Sequence, residues 1–186
     1  MRHADQLEQL NIGEADGETT AASPHRPVGI GRRAGPPEYI ASALAIGLLM
    51  AIAIAIWRGR AQLTTLPPQI AIHLATIIAA LALTPLLLLA AKGDRQHRRM
   101  GYLWCGLMVA TACAAFFIRT ISGGFSAIHI FVVLTLVSVP RLIANARRHQ
   151  VVRHRIVVLS LVFGAFLVAG GFAFVGQRHL AIWLFG

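Results

Sequence analysis

Long apolar runs alternate with short polar stretches along most of this chain. Five of the runs are long enough to span a bilayer as a helix, which takes roughly 18 or more predominantly apolar residues. The pattern predicts helices at about residues 38–57, 70–91, 97–121, 126–146 and 153–175. Breakers such as Pro67-Pro68 or Ser122-Gly123-Gly124, or clusters of arginine, separate the runs. We therefore predict an all-α integral membrane protein with five transmembrane helices.

The two ends of the chain lack this pattern. Residues 1–37 are rich in Gly, Pro, Ser, Thr and Glu without an apolar period, which predicts a disordered cytoplasmic tail. The start is not typical of a signal peptide, because no apolar segment follows it. Residues 177–186 form a short tail that includes Trp183, and we expect it at the membrane interface.

Composition agrees with a membrane protein. Hydrophobic residues make up 56% of the chain and charged residues 13%, whereas soluble domains carry about a quarter charged residues. The formal net charge of +10 comes from arginines between apolar runs, where they set orientation and meet lipid headgroups. No soluble basic domain remains that would bind nucleic acid. Because Asp94 is the only acidic residue after Glu38, the chain also lacks the intramembrane carboxylates common in cation transporters and proton pumps.

The distribution of Lys and Arg predicts the orientation. The segments 92–99 and 141–155 are rich in these residues, whereas the opposite side has only Arg58, Arg60, Arg119 and Arg178. Short basic loops stay in the cytoplasm. We therefore expect the N-terminus in the cytoplasm and, after five spans, the C-terminus outside.

The sequence contains an internal repeat. The tripeptide Ala-Ile-His ends at His73 and again at His129, and a proline follows each histidine by 12 and 11 residues. A His-Arg pair begins the next helix at His97 and at His154, which lie 24 and 25 residues after those first histidines. We infer a duplicated helix pair, residues 70–121 and 126–176, that forms a four-helix bundle. The first helix, whose only interior polar residue is Ser42, is expected at the periphery.

The four repeated histidines are the candidate site. His73 and His129 would meet near the outer face, and His97 and His154 near the inner face. Neutral imidazole is a good axial ligand for haem iron, and two histidines from facing helices can hold a haem without a covalent bond. The levels are separated by about 27 Å of helix, so two b-type haems fit and one shared haem does not. No C-x-x-C-H pattern for covalent haem attachment is present.

Arginines near these levels complete the candidate site. Arg98 and Arg155 are expected to pair with haem propionates or lipid headgroups at the inner face, and Arg119 with a propionate at the outer face.

The blocks AIH, HRRMG and the second AIH…HR resemble the bacterial membrane proteins grouped as domain of unknown function 2306, over about residues 70–176. That group is similar in architecture to di-haem b-type transmembrane cytochromes and ferric reductase domains. The resemblance implies a bacterial inner membrane location and the ligand pairs His73 with His129 and His97 with His154. In this chain the loops are shorter than in those cytochromes, and His97 and His154 lie at the starts of their helices instead of within them.

The sequence therefore favours a b-type di-haem electron-transfer protein linked to quinol or to another redox protein. Two alternatives stay open. The same histidines could bind copper or zinc, although no cluster of Met, Cys or carboxylates accompanies them. The chain could also be an accessory or structural membrane subunit without a cofactor.

Overall fold

A computed structural model describes residues 34–118, 129–175 and 179–185. Most of the predicted tail, Arg119 and the turn Ser122-Gly123-Gly124 lie outside the described residues. The described residues form helices joined by short connections, with no strand among them. The all-α prediction is confirmed.

Five long helices and one short helix make up the described part of the chain. They are α1 (Pro36–Arg58), α2 (Pro68–Leu89), α3 (Arg95–Phe116), α4 (His129–Arg147), α5 (Val151–Phe172) and α6 (His179–Phe185). Each of the first five is long and apolar enough to cross a membrane, which confirms the predicted number of spans. A short 3-10 helix, Arg60–Thr65, connects α1 to α2.

The helix starts follow local chemistry. Proline occupies the first turn of α1 and of α2, where the missing N–H costs no helical hydrogen bond. Both helices therefore begin two residues earlier than their apolar runs. Asp94 caps α3, since its carboxylate accepts a hydrogen bond from the backbone N–H of His97 at 2.6 Å. Within α5, residues Val162–Val168 form a π-helical segment.

The helices alternate in direction, so the bundle has two ends. We call the end where α1, α3 and α5 begin the basic face, because it carries the segments 92–99 and 141–155. The other end, where α2 and α4 begin, is the far face.

The first helix, for which a peripheral position is predicted, packs against three other helices among the described residues. Consecutive helices pack against each other from α1 to α5, and α1 also packs against α5 and α6. The small residues Ala41, Ser42, Ala45 and Ala55 are all buried along one side of α1. Small side chains allow helix backbones to approach closely in a membrane protein. The first helix therefore lies between the two proposed repeat units.

Burial is similar at some of the positions that the repeat aligns. When the two units are aligned on Pro85 and Pro140, Ala80 matches Thr135 and Thr84 matches Val139, and all four are buried. When they are aligned on the two His-Arg pairs, the buried matches are Trp104 with Leu161 and Cys105 with Val162. These four positions face the interior in both helix pairs, whereas Leu81 and Thr111 are buried and their counterparts Leu136 and Val168 are exposed.

Trp104 links three helices at the centre of this core. Its indole Nε1 donates a hydrogen bond to Thr84 Oγ1 at 3.0 Å, and Thr84 donates to the carbonyl of Ala80 at 2.8 Å. The ring also meets Phe166 of the π-helical segment edge-on, with centroids 6.1 Å apart. The indole N–H, which would be costly to bury alone, is therefore satisfied within the bundle.

The C-terminal segment, for which an interfacial position is predicted, packs on the bundle. It forms α6, which packs against the end of α1, and Trp183 is only 7% exposed. The Trp183 ring lies against Gly59, where any Cβ atom would overlap it. Arg58 donates a hydrogen bond to the carbonyl of Leu184. Trp183 is thus buried by protein at the far face, whereas Trp57 is 71% exposed there, with the Arg60 guanidinium 5.1 Å from its ring centre.

Candidate functional site

His73 is fixed to the neighbouring helix by its ring. Its Nδ1 lies 3.0 Å from the backbone carbonyl oxygen of Thr111 on α3. Because a carbonyl only accepts, Nδ1 must donate, and the neutral ring then keeps the lone pair on Nε2. This is the arrangement in which proteins commonly orient a histidine that binds a metal through Nε2.

Two threonines support this contact. Thr111 Oγ1 donates to Thr76 Oγ1 at 2.8 Å, and Thr76 Oγ1 in turn lies 3.0 Å from the carbonyl oxygen of His73. The chain of hydrogen bonds joins α2 to α3 within the apolar part of the bundle. It leaves the hydroxyl groups satisfied and holds the His73 backbone and ring together.

His129 lies near the same end of α3. Its ring meets Phe116 edge-on, with centroids 6.5 Å apart. Thr111 and Phe116 are five residues apart on α3, about 7.5 Å along the helix axis. His73 and His129 therefore flank the far end of α3. In the described residues α3 packs extensively against both α2 and α4.

The other two histidines lie at the basic face. His154 Nδ1 is 3.2 Å from the backbone carbonyl oxygen of Leu142 on α4, the same type of contact that His73 makes. His97 is in the first turn of α3, and its buried Nδ1 has no hydrogen-bond partner among the described residues. His97 and His154 both lie in the first turn of their helices at the basic face.

His73 and His154 make the same type of contact, although they are not counterparts in the repeat: the counterpart of His154 is His97, whose Nδ1 has no partner among the described residues. His73 joins α2 to α3 near the far face, and His154 joins α4 to α5 near the basic face. In both cases Nδ1 donates to a backbone carbonyl and Nε2 remains available to a ligand. This donor chemistry fits axial ligation of a haem iron.

The predicted arginines have different positions. Arg98 is exposed and donates to the carbonyl of Gly93 at 2.9 Å. Arg119 lies outside the described residues. The guanidinium of Arg155 binds Glu38 through two parallel hydrogen bonds, Nε to Oε1 at 2.5 Å and Nη2 to Oε2 at 2.8 Å. Arg155 is therefore already engaged by a carboxylate of α1.

The sequence analysis missed this ionic contact. Glu38 is only 2% exposed, and it also accepts the backbone N–H of Gly35 at 3.0 Å while Lys92 Nζ lies 4.0 Å away. The contact joins the starts of α1 and α5 to the loop between α2 and α3. The sequence feature that could have predicted this contact is Glu38 itself, a single carboxylate at the start of an apolar run on the basic side of the membrane.

An open surface cleft lies at the far face, and His73 itself is not among its lining residues. It has a volume of about 600 Å³ and lies between the first turns of α2 and the last turns of α3. Gln69 and Cys113 are its polar members, and Ile72, the neighbour of His73, is among its apolar lining residues.

Comparison of the chain with protein-family models, with curated proteins and with solved structures finds no match. Within the described residues, no three His, Cys, Asp or Glu side chains form a group that could hold a metal ion.

Proposed function

We propose that this chain is a membrane electron-transfer protein that binds two b-type haems through its four repeated histidines. The observation that carries the proposal is the shared Nδ1-to-carbonyl contact of His73 and His154, near opposite ends of the bundle. His129 would complete the site near the far face, and His97 the site near the basic face. A haem held by two imidazoles supplies a one-electron couple.

The residues around each proposed haem site would orient the histidines and exclude water. The carbonyls of Thr111 and Leu142 keep the proton on Nδ1 and fix the ring planes of His73 and His154. Apolar side chains of the bundle limit the access of water. Arg119 remains the proposed propionate partner near the far face. Because Arg155 is engaged by Glu38, the proposal does not need it as a propionate partner.

The proposed electron donor is a lipid-soluble carrier such as quinol. The cleft between α2 and α3 supports this choice, because it is mainly apolar and Ile72, the neighbour of His73, is among its lining residues. We further propose that the chain lies in a bacterial inner membrane, with its basic face in the cytoplasm. A reporter enzyme that works only outside the cytoplasm, fused after residue 186, should then be active.

The decisive test is the absorption spectrum of detergent-purified protein, produced with ample haem. Oxidised and dithionite-reduced spectra with a pyridine haemochrome count should give two b haems per chain. His73→Ala or His97→Ala should reduce the count to one. The matched control is His149→Ala, since this exposed histidine lies in the turn after α4 and has no repeat partner. Protein without Soret absorbance would disprove the proposal.

The second candidate is an accessory membrane subunit without a cofactor. The same contacts favour it, because a ring N–H bound to a carbonyl of the next helix also fixes helix packing. Here His73→Ala should change stability by about 1 kcal/mol, the usual net value of a hydrogen bond, and leave every spectrum unchanged. Metal analysis of haem-free protein separates both candidates from a copper- or zinc-binding protein.

A further inference from the structure

The first two turns of α3 carry an exposed cationic surface. Arg95, Arg98, Arg99 and Tyr102 are all exposed and follow the helical spacing i, i+3, i+4 and i+7. Residues at this spacing lie on one side of a helix, with neighbouring Cβ atoms about 5 to 6 Å apart. We name these four residues the α3 arginine face. Its guanidinium groups lie where the helix meets the basic face, and the Tyr102 ring lies one turn deeper in the bundle.

The position of these arginines is electrostatically unfavourable within the protein. The amino end of a helix carries a partial positive charge, so cations are disfavoured there and anions favoured. Arg147, by comparison, lies in the last turn of α4, where the partial charge is negative. Three arginines within the first five residues of α3 therefore need an external anion more than the arginines of α4 do.

The acidic side chains at the basic face do not neutralise the α3 arginine face. Residues 34–185 contain two acidic residues, Glu38 and Asp94. Glu38 is buried and bound to Arg155, and Asp94 accepts the backbone N–H of His97. Among the described residues, the recorded salt bridges involve only Glu38, with Arg155 and Lys92 as its partners.

We propose that the α3 arginine face binds the phosphate of an anionic phospholipid in the leaflet at the basic face. Guanidinium groups suit phosphate because they form two parallel hydrogen bonds to its oxygens. The amino end of α3 adds favourable charge for the same anion. The Tyr102 ring, 52% exposed, would lie among the glycerol and upper acyl groups of that lipid. This inference does not rest on haem binding.

The test compares lipid binding to the full chain by native mass spectrometry in detergent. Phosphatidylglycerol is titrated against phosphatidylcholine, and the ratio of their binding constants is measured for each variant. The triple variant R95Q/R98Q/R99Q should lower the preference for phosphatidylglycerol by on the order of tenfold or more, since each arginine contributes about fivefold. The matched triple R141Q/R147Q/R148Q removes the same charge from α4 and its following turn and should lower the ratio less than about threefold.

Three results of the lipid titration would overturn the proposal. They are equal binding of the two lipids by the wild-type chain, an equal loss in both triple variants, and displacement of the lipid by excess inorganic phosphate. The last result would assign the face to a free anion. If the glutamine triple does not fold, R95K/R98K/R99K keeps the charge but loses the paired guanidinium hydrogen bonds, so it should still lower the preference for phosphatidylglycerol. The wild-type preference must also fall with added salt, and a flat salt dependence would equally refute it.

Discussion

Removing either partner of the Glu38–Arg155 contact should destabilise the protein, but not equally. The Arg155 side chain is 44% exposed and that of Glu38 only 3%. After Glu38→Ala, the guanidinium can turn toward water, so the loss is limited to the hydrogen bonds of the carboxylate, about 1 to 2 kcal/mol net. After Arg155→Ala, a buried carboxylate keeps only the Gly35 N–H and Lys92 at 4.0 Å.

An unpaired buried charge costs more than the pair contributes. We therefore expect Arg155→Ala to be roughly twice as damaging as Glu38→Ala. The double variant should be more stable than Arg155→Ala alone, since it removes the stranded carboxylate. Unfolding in detergent by added denaturant, followed by circular dichroism and tryptophan fluorescence, measures the three free energies. Such a double-mutant cycle isolates the coupling between the two side chains.

The control variant is Arg153→Ala. This exposed arginine is two residues before Arg155, and its recorded hydrogen bond is a 3.5 Å contact with Gln150. Its loss should leave the free energy of unfolding nearly unchanged. The reasoning fails if Glu38→Ala is as damaging as Arg155→Ala, or if the double variant is less stable than both single variants.

Two further substitutions test the packing. Gly59→Ala should displace Trp183 and shift its fluorescence to longer wavelength. Overpacking at this position should lower the free energy of unfolding by about 1 to 3 kcal/mol. Gly47 has open space around it, so Gly47→Ala should be tolerated. An unshifted spectrum for Gly59→Ala would show that α6 does not dock there. Trp104→Phe should lower the free energy of unfolding by about 1 kcal/mol, because it removes the hydrogen bond to Thr84. Adding Thr84→Val to that variant should then have little further effect. Fully additive losses would argue against the hydrogen bond.

The number of helices was predictable because a bilayer demands long apolar runs, but their limits were less so, since α3 ends at Phe116 and not near residue 121. The starts moved by two residues where proline opens the helix, as at Pro36 and Pro68. The order in which the helices pack against each other was harder to predict from the sequence. Which helix faces which depends on small residues such as Ala41 and Ala45, whose pattern is common to many membrane helices.

The histidine contacts show a similar limit. The repeat singled out His73 and His154, but their acceptors are backbone carbonyls, which carry no sequence signature. Glu38 was assigned to the helix start without a partner. Its contact with Arg155 joins residues 117 positions apart, and no local pattern connects them.

This separation has a consequence for biosynthesis. Chains grow at about 5 to 20 residues per second, so roughly 6 to 23 s pass between synthesis of Glu38 and of Arg155. Glu38 of α1 can therefore bind Arg155 only after α5 has been synthesised. During that interval α1 can pack only against the helices already made, and its carboxylate remains at the membrane surface. Closure of the bundle by α5 and α6 is thus a late event, timed by translation.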